Sequence, residues 1–266
     1  MSNENGGIRI NKYLSEYGVC SRREADRLIA SGQVYIGDKK AEMGDRVLPG
    51  QKVRVKGVSV KEKDPEVLLI FNKPRGVVCT SQKKDRNNII DHIGYPVRVY
   101  PIGRLDQDSE GLILLTNCGP LANMLTHPSF RHEKEYVVRV DRPVTDDFLK
   151  RMGAGVPILG TRTNPCTVRK RGEREFSIIL TQGMNRQIRR MCEYFGYRVL
   201  RLRRIRIMEI TLGDLQPGQY REATRREWSM LKKQLHIQNK SENNGGNHGR
   251  SSSENKRTGA KAKRSR

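Results

Sequence analysis

Four consecutive large apolar residues, Leu112 to Leu115, constrain this chain more than any other feature. Charges crowd the approach to them: Arg104, Asp106, Asp108 and Glu110 lie within the segment PIGRLDQDSEGLILL. So dense an apolar run reads as a strand buried on both faces. Ionised groups that enter such a strand cost on the order of several kcal/mol each when unpaired. With Gly103 to Asp106 extended, Arg104 and Asp106 share one face and Leu105 takes the other. The expectation is a carboxylate and a guanidinium side by side at the mouth of an apolar pocket.

Charge says what kind of partner to expect. Lys and Arg number 52 against 29 Asp and Glu, a formal net charge of +23. That excess favours a polyphosphate, with RNA or DNA foremost. An anionic membrane is the competing partner, but no stretch approaches the roughly 20 apolar residues of a membrane span. The opening MSNENGGIR has no signal-peptide pattern, so no membrane role is expected. The five Cys are scattered without a C-x-x-C pair, which suits a reduced, cytoplasmic protein.

Taken in order, residues 1–7 read as a disordered leader and residues 8–57 as a compact unit. Ile10, Tyr13, Leu14 and Tyr17 recur at helical spacing. Ser21 to Glu24 fits a capping box opening a second helix, with Ala25, Leu28 and Ile29 on one face and Gly32 as its stop. Short strands are expected at Val34 to Ile36 and Val53 to Val55. Residues 58–66 read as a charged linker. Residues 67–237 read as a mixed α/β region: strands at Val67 to Phe71, Val77 to Thr80, Glu135 to Val140, Phe176 to Leu180 and Arg198 to Ile210, and helices at Leu121 to Leu125, after Thr145, and at Asn185 to Phe195. Residues 238–266 are Ser, Asn, Gly, Lys and Arg with almost nothing apolar, so a basic disordered tail is expected.

Arg22, Arg23 and Arg27 project from the polar side of the second helix. A solvated face explains them, yet cations near a helix N-terminus oppose the macrodipole, and an external anion would offset that. The segment resembles the small RNA-binding domain named for small-subunit ribosomal protein four. The matching residues are Ile10 to Leu14, Cys20 to Asp26, and Gly32-Gln33-Val34 leading to Gly44-Asp45 and Pro49-Gly50. The resemblance implies two helices gripping an RNA backbone.

Asp106-x-Asp108-x-Glu110-Gly111 imitates the start of a calcium loop, but the twelfth position is Asn117 and the second half is strand-like. Paired carboxylates also suit glycoside hydrolysis, although a single Trp and strong positive charge do not suggest sugar. No metal-ligand cluster, P-loop or dinucleotide fingerprint appears, and the five His have no ligand spacing. In Gln182 to Met191, helical spacing places Ile188, Met191, Cys192 and Phe195 in one stripe. Arg186 and Arg190 point away from it, and Arg189 sits at its edge, able to reach inward. Tyr136 follows Glu133-Lys134-Glu135 at a strand start, where packing is its ordinary role.

Three stretches together resemble the pseudouridine synthases, in the branch containing RsuA, RluB, RluE and RluF: Gly103-Arg104-Leu105-Asp106-x-Asp108-Ser109-x-Gly111-Leu112, Glu133-Lys134-x-Tyr136, and Gly183-x-Asn185 to Met191. Gly155 to Thr161 and the basic tail lie nearest the RluF group. The resemblance implies an α+β chain: a small S-four-like domain, then a mixed, mainly antiparallel-sheet catalytic domain. It implies isomerisation of uridine to pseudouridine in RNA, with large-subunit (23S) ribosomal RNA as substrate and a tRNA anticodon uridine left open. No cofactor is needed. By the same resemblance Asp106 is the nucleophile, on ribose or on the uracil ring. Arg189 is its basic partner, and Tyr136 stacks and handles a proton. A guanidinium beside Asp106 would keep the carboxylate ionised in apolar surroundings. Arg104, Leu105, Asp106, Gln107, Arg186, Gln187, Ile188 and Arg189 would hold a flipped nucleotide, and Arg22, Arg23 and Arg27 its flanking RNA. A monomer is expected. The competing assignment is a non-catalytic RNA-binding or ribosome-assembly protein.

Overall fold

The computed structural model describes residues 6–81 and 85–233. The expected tail, most of the leader and part of the loop after Gln82 lie outside them. Near the N-terminus, α1 (Ile10–Glu16) and α2 (Arg22–Ala30) pack together through Ile10, Leu14, Ala25, Leu28 and Ile29. Ser21 caps α2 by accepting from the Glu24 N–H at 3.2 Å. Glu24 does not reach back to close the box. It pairs with Arg27 at 2.6 Å, one turn further on. Gly32, at φ +69°, provides the left-handed stop. A four-stranded sheet follows, built on Val34–Ile36 and Val53–Val55. Val58–Ser59 adds to its edge, so the first residues of the expected linker belong to this unit.

The second unit is organised around a nine-stranded sheet among the described residues. Its strands are β1 (Leu68–Lys73), β2 (Tyr100–Ile102), β3 (Glu110–Thr116), β4 (Lys134–Val140), β5 (Thr167–Gly172), β6 (Glu175–Leu180), β7 (Val199–Ile207), β8 (Ile210–Thr211) and β9 (Tyr220–Glu222). The main path runs β5-β6-β4-β7-β3-β1-β9, with β8 beside β7 and β2 beside β3. Leu112 to Leu115 have no exposed surface at all, as the apolar run requires. They separate two cores, Leu112 and Leu114 on one side and Ile113 and Leu115 on the other.

Every pairing in this sheet is antiparallel except β7 with β3, which runs parallel for two rungs, Arg203 with Glu110 and Arg204 with Gly111. There the ladder stops. The Arg204 side chain takes over, donating Nε to the Leu112 carbonyl at 2.7 Å. Gly111 is required at this crossing: its φ is +103°, and a Cβ would stand 2.2 Å from the Arg204 carbonyl oxygen. The sheet is thus two antiparallel halves joined by a short seam.

Helices α3 (Ile89–Ile93), α4 (Gly119–Thr126), α5 (Asp146–Gly153) and α6 (Gln187–Tyr194) cover the sheet. Thr145 caps α5 as expected, accepting from the Phe148 N–H at 3.1 Å. Phe148, Met152, Ile188, Met191 and Cys192 join Val138, Phe176 and Leu202 in one core. Val77 to Thr80 does not form the expected return strand; Val78 makes only an isolated bridge to Asn88.

Candidate active site

The charged approach to β3 is a loop, not an extension of the strand. Ile102 ends β2, Gly103 turns the chain at φ +73°, and pairing resumes at Glu110. Burial still alternates: Leu105 is buried, Arg104 exposed and Asp106 half-buried. No ion pair joins Arg104 to Asp106 among the described residues. Among the described residues the cation nearest Asp106 is Arg186, its Nη1 lying 3.9 Å from Oδ2.

The loop is held from below and from the side. Lys73, with no exposed surface, donates Nζ to the carbonyls of Pro74 at 2.9 Å and Val77 at 2.8 Å, and reaches that of Gln107 at 3.5 Å. Burial lowers its pKa, opposed by the charges of Cys79, Asp108, Asp106 and Glu110. Gln107 is tied to Gly76, its carbonyl accepting at 2.8 Å and its side-chain amide donating at 3.0 Å. Asp108 is the loop's electrostatic anchor. Arg186 grips it with two hydrogen bonds of 3.1 and 3.0 Å, and Arg189 Nη2 lies 3.3 Å from Oδ2. Burial pushes the Asp108 carboxyl up, but the paired bond from Arg186 and the charges of Arg189 and Arg186 outweigh it and hold it below the usual range.

Arg189 therefore does reach inward, but to Asp108 rather than Asp106. Its Nη2 also donates to the Asp108 carbonyl at 3.1 Å and to Ser109 Oγ at 3.4 Å. Gln187 is buried and committed to its own chain, accepting from the Met184 N–H at 3.0 Å. Ile188 and Leu105 pack in the cores, and both line the cleft as well, as does Gln187. Arg22, Arg23 and Arg27 are exposed on α2 and are not among the residues lining the cleft.

Asp106 faces a cleft of about 940 Å³. One wall is Gly103 to Asp106 together with Ser109. Another runs from Leu180 through Arg186 into the start of α6, and a third from Leu125 through Arg131 to Lys134. Leu114, Leu202 and Ile207 line its floor on either side of the seam. Tyr136 stands between two cores, packing against both. The Arg204 guanidinium lies 5.9 Å from the centre of its ring, and its Nη2 is buried without a hydrogen-bond partner among the described residues. Lys134 joins them, its pKa lowered by burial and then by Arg204. Neither Arg204 nor Lys73 was singled out from the sequence, and Lys134 appeared only within the Glu133-Lys134-x-Tyr136 match, with no role of its own. Arg204 had a signal, since it falls in phase with Leu202 on the inward face of β7. The arrangement offers one half-buried carboxylate, an aromatic ring with a hydroxyl, an apolar floor and a basic rim: room and chemistry for a flat base carried on a phosphate backbone.

The fold and this cleft define an RNA-modifying isomerase: the chain belongs to the RNA pseudouridylate synthase family, whose model matches residues 67–194. An S4 domain model matches residues 8–53. Among named relatives, the chain is 52% identical over 218 residues to the dual-specificity RNA pseudouridine synthase RluF of Salmonella typhi, covering 81% of this chain and 75% of that one. It is 35% identical over 233 residues to the ribosomal large subunit pseudouridine synthase B of Bacillus subtilis, covering 84% and 95%. A crystal structure of a pseudouridylate synthase superposes with a TM-score of 0.62 at 25% identity, covering 85% of this chain and 99% of that one.

Proposed function

We propose that the chain isomerises a uridine in large-subunit (23S) ribosomal RNA and also accepts a tRNA anticodon uridine, with Asp106 as nucleophile. The observation that carries the reading is Asp106 itself, on a clamped loop that faces the cleft, its carboxylate without a hydrogen-bonded partner among the described residues. Its neighbour Asp108 absorbs Arg186 and Arg189, which leaves Asp106 to the substrate. The RluF relatives' dual specificity and the Bacillus subtilis relative's large-subunit target support the choice of RNA.

In the reaction the base's N1–C1′ bond breaks, the ring turns, and a C5–C1′ bond forms. The C5 proton is lost and N1 gains one, so atoms and charge balance without redox partner or nucleotide triphosphate. Asp106 attacks the ribose, displacing the base and remaining bonded to C1′ until C5 displaces it, or adds to the ring and is eliminated once C5–C1′ has formed. Tyr136 stacks on the base and handles the proton. Arg189 supports the nucleophile at one remove, by fixing the Asp108 and Ser109 backbone. Arg104, and Arg186 through the N–H groups that Asp108 leaves free, are exposed at the rim and suit phosphates flanking the extruded nucleotide.

The test is Asp106→Asn, isosteric and exposed enough to fold. The variant should bind ribosomal RNA like wild type and form no pseudouridine, read by tritium release from labelled uridine and by mass spectrometry after pseudouridine-specific labelling. Turnover by the variant would remove Asp106 as nucleophile. Full modification of ribosomal and transfer RNA in a deletion strain would favour the non-catalytic RNA-binding alternative.

A further inference from the structure

Gly155 to Thr161, distinctive in the sequence but unused by the cleft chemistry, closes a small hairpin in which Pro157–Ile158 pairs with Thr161–Arg162. Its base is rigid. Val156 and Ile158 are buried in the α5–α6 core. Thr163 is buried too, its Oγ1 accepting from the Val156 N–H at 2.9 Å while its own N–H donates back to the Val156 carbonyl at 3.0 Å. Gly155 has φ +90°, and a Cβ there would stand 2.4 Å from the Thr163 carbonyl oxygen. The Asn164 N–H donates to Gln182 Oε1 at 3.0 Å, tying the hairpin to the wall that carries Arg186.

Its tip is the opposite of its base. Leu159 is 51% exposed and sits at φ +51°, followed by Gly160 at φ +73°. The first place of such a turn suits Asn, Asp or Gly, which tolerate positive φ. Leucine gains nothing in water there and strains the backbone. Five non-glycine residues take positive φ among those described: Lys56, Arg131, Leu159, Arg186 and Met208. Arg131 and Arg186 line the cleft, and Leu159 adjoins Thr161 and Arg162, which line it as well. Strained residues gather where a ligand is clamped.

We propose that this hairpin is a recognition finger for the RNA beside the target uridine. Leu159 packs on the free face of an unstacked base and Arg162 meets the adjoining phosphate. The partner is a loop or bulge nucleotide, because a base within a continuous helix offers no free face to an apolar tip. The inference rests on the chain's acting as an RNA pseudouridine synthase, and assigns to that site the place where substrate choice is read.

Full-length wild type, Leu159→Asn and Leu159→Gly are compared on a ribosomal stem-loop RNA that the wild type modifies, with 2-aminopurine placed in turn at each unpaired position. Both variants relieve the backbone, so their Tm should equal or exceed that of wild type. KM should rise about tenfold, the scale of losing most of one leucine's buried apolar surface, with kcat within about twofold. The 2-aminopurine response should shrink at one position only. KM within about twofold of wild type overturns the finger while leaving the enzyme assignment intact. So does a joint fall of kcat and Tm, which marks Leu159 as structural. A wild type that forms no pseudouridine in any ribosomal or anticodon stem-loop removes the enzymatic reading and the finger with it.

Discussion

Lys73 is the side chain whose removal should cost most for its size. It lies beneath the Asp106 loop with no exposed surface, and its ammonium donates to three carbonyls, two of them at 2.8 and 2.9 Å. A hydrogen bond from a charged group contributes about 1.5–3 kcal/mol. Lys73→Met keeps the length and apolar bulk but orphans those carbonyls. It also relieves the interior of a charge, which offsets part of the loss. The net expectation is about 2–4 kcal/mol, or about 5–12 °C in Tm for a chain of this size. The effect on catalysis should be larger than stability alone implies. Gln107, one of the three acceptors, adjoins Asp106, and a shift of about 1 Å at a reacting group costs about a hundredfold in rate. Thermal melting read beside single-turnover rates at a temperature where both proteins are folded separates the two effects. A Lys73→Met protein that melts within about 2 °C of wild type, or turns over at the wild-type rate, would show that the loop needs no support from below.

Replacing Arg22, Arg23 and Arg27 together by Ser should weaken RNA binding and flatten its salt dependence by about 0.7–0.9 in log–log slope for each phosphate no longer neutralised, with the melting curve unmoved; binding titrations at several salt concentrations decide. Gly111→Ala should destabilise the sheet by more than about 3 kcal/mol, because the added carbon collides with backbone at the β3–β7 crossing. Recovery as a soluble, cooperatively melting protein would refute that. Glu227, gripped by Arg221 at 2.7 and 2.8 Å, has its carboxyl pulled down to about 2. A lowered pKa contributes stability that is complete above the unfolded value near 4.5 and is lost as pH falls through about 2. Discounted for solvent screening, Glu227→Gln should cost about 1–2 kcal/mol at pH 7 and almost nothing near pH 2, by urea midpoints.

The sequence showed some of this plainly and concealed the rest for physical reasons. Leu112 to Leu115 announced a doubly buried strand because no other environment suits four such residues in a row. The charges before it marked the site but not its wiring. The spacing of α6 put Arg189 within reach of the interior, yet only the fold decides that it meets Asp108 while Arg186 approaches Asp106. Two matching stretches, Ser21-Arg-Arg-Glu24 and Thr224-Arg-Arg-Glu227, show the same limit. In the second, Thr224 Oγ1 accepts from the Glu227 N–H at 3.2 Å and Glu227 accepts from the Thr224 N–H at 2.8 Å, completing the box. In the first, Arg27 captures Glu24 instead. β5, with Arg169, Lys170 and Arg171, was invisible as a strand, since an exposed edge has little apolar periodicity to betray it. Lys73 was hidden for the converse reason: a lysine in sequence reads as surface.

The seam between β3 and β7 has a consequence for how such a chain can vary. With only two backbone rungs crossing it, the halves are joined mainly by side chains: Ile207 and Ile210 share a core with Leu112 and Leu114, and Tyr136 packs on both sides. Loops on the far margin are free to lengthen or be exchanged only where they carry neither these contacts nor the grip of Arg186 and Arg189 on Asp108. A single guanidinium bridges the gap, lodged where the ladder gives out. Variation is therefore cheapest along the exposed margin of β5, while the nucleophile's loop and the arginines that hold it from across the seam must change together.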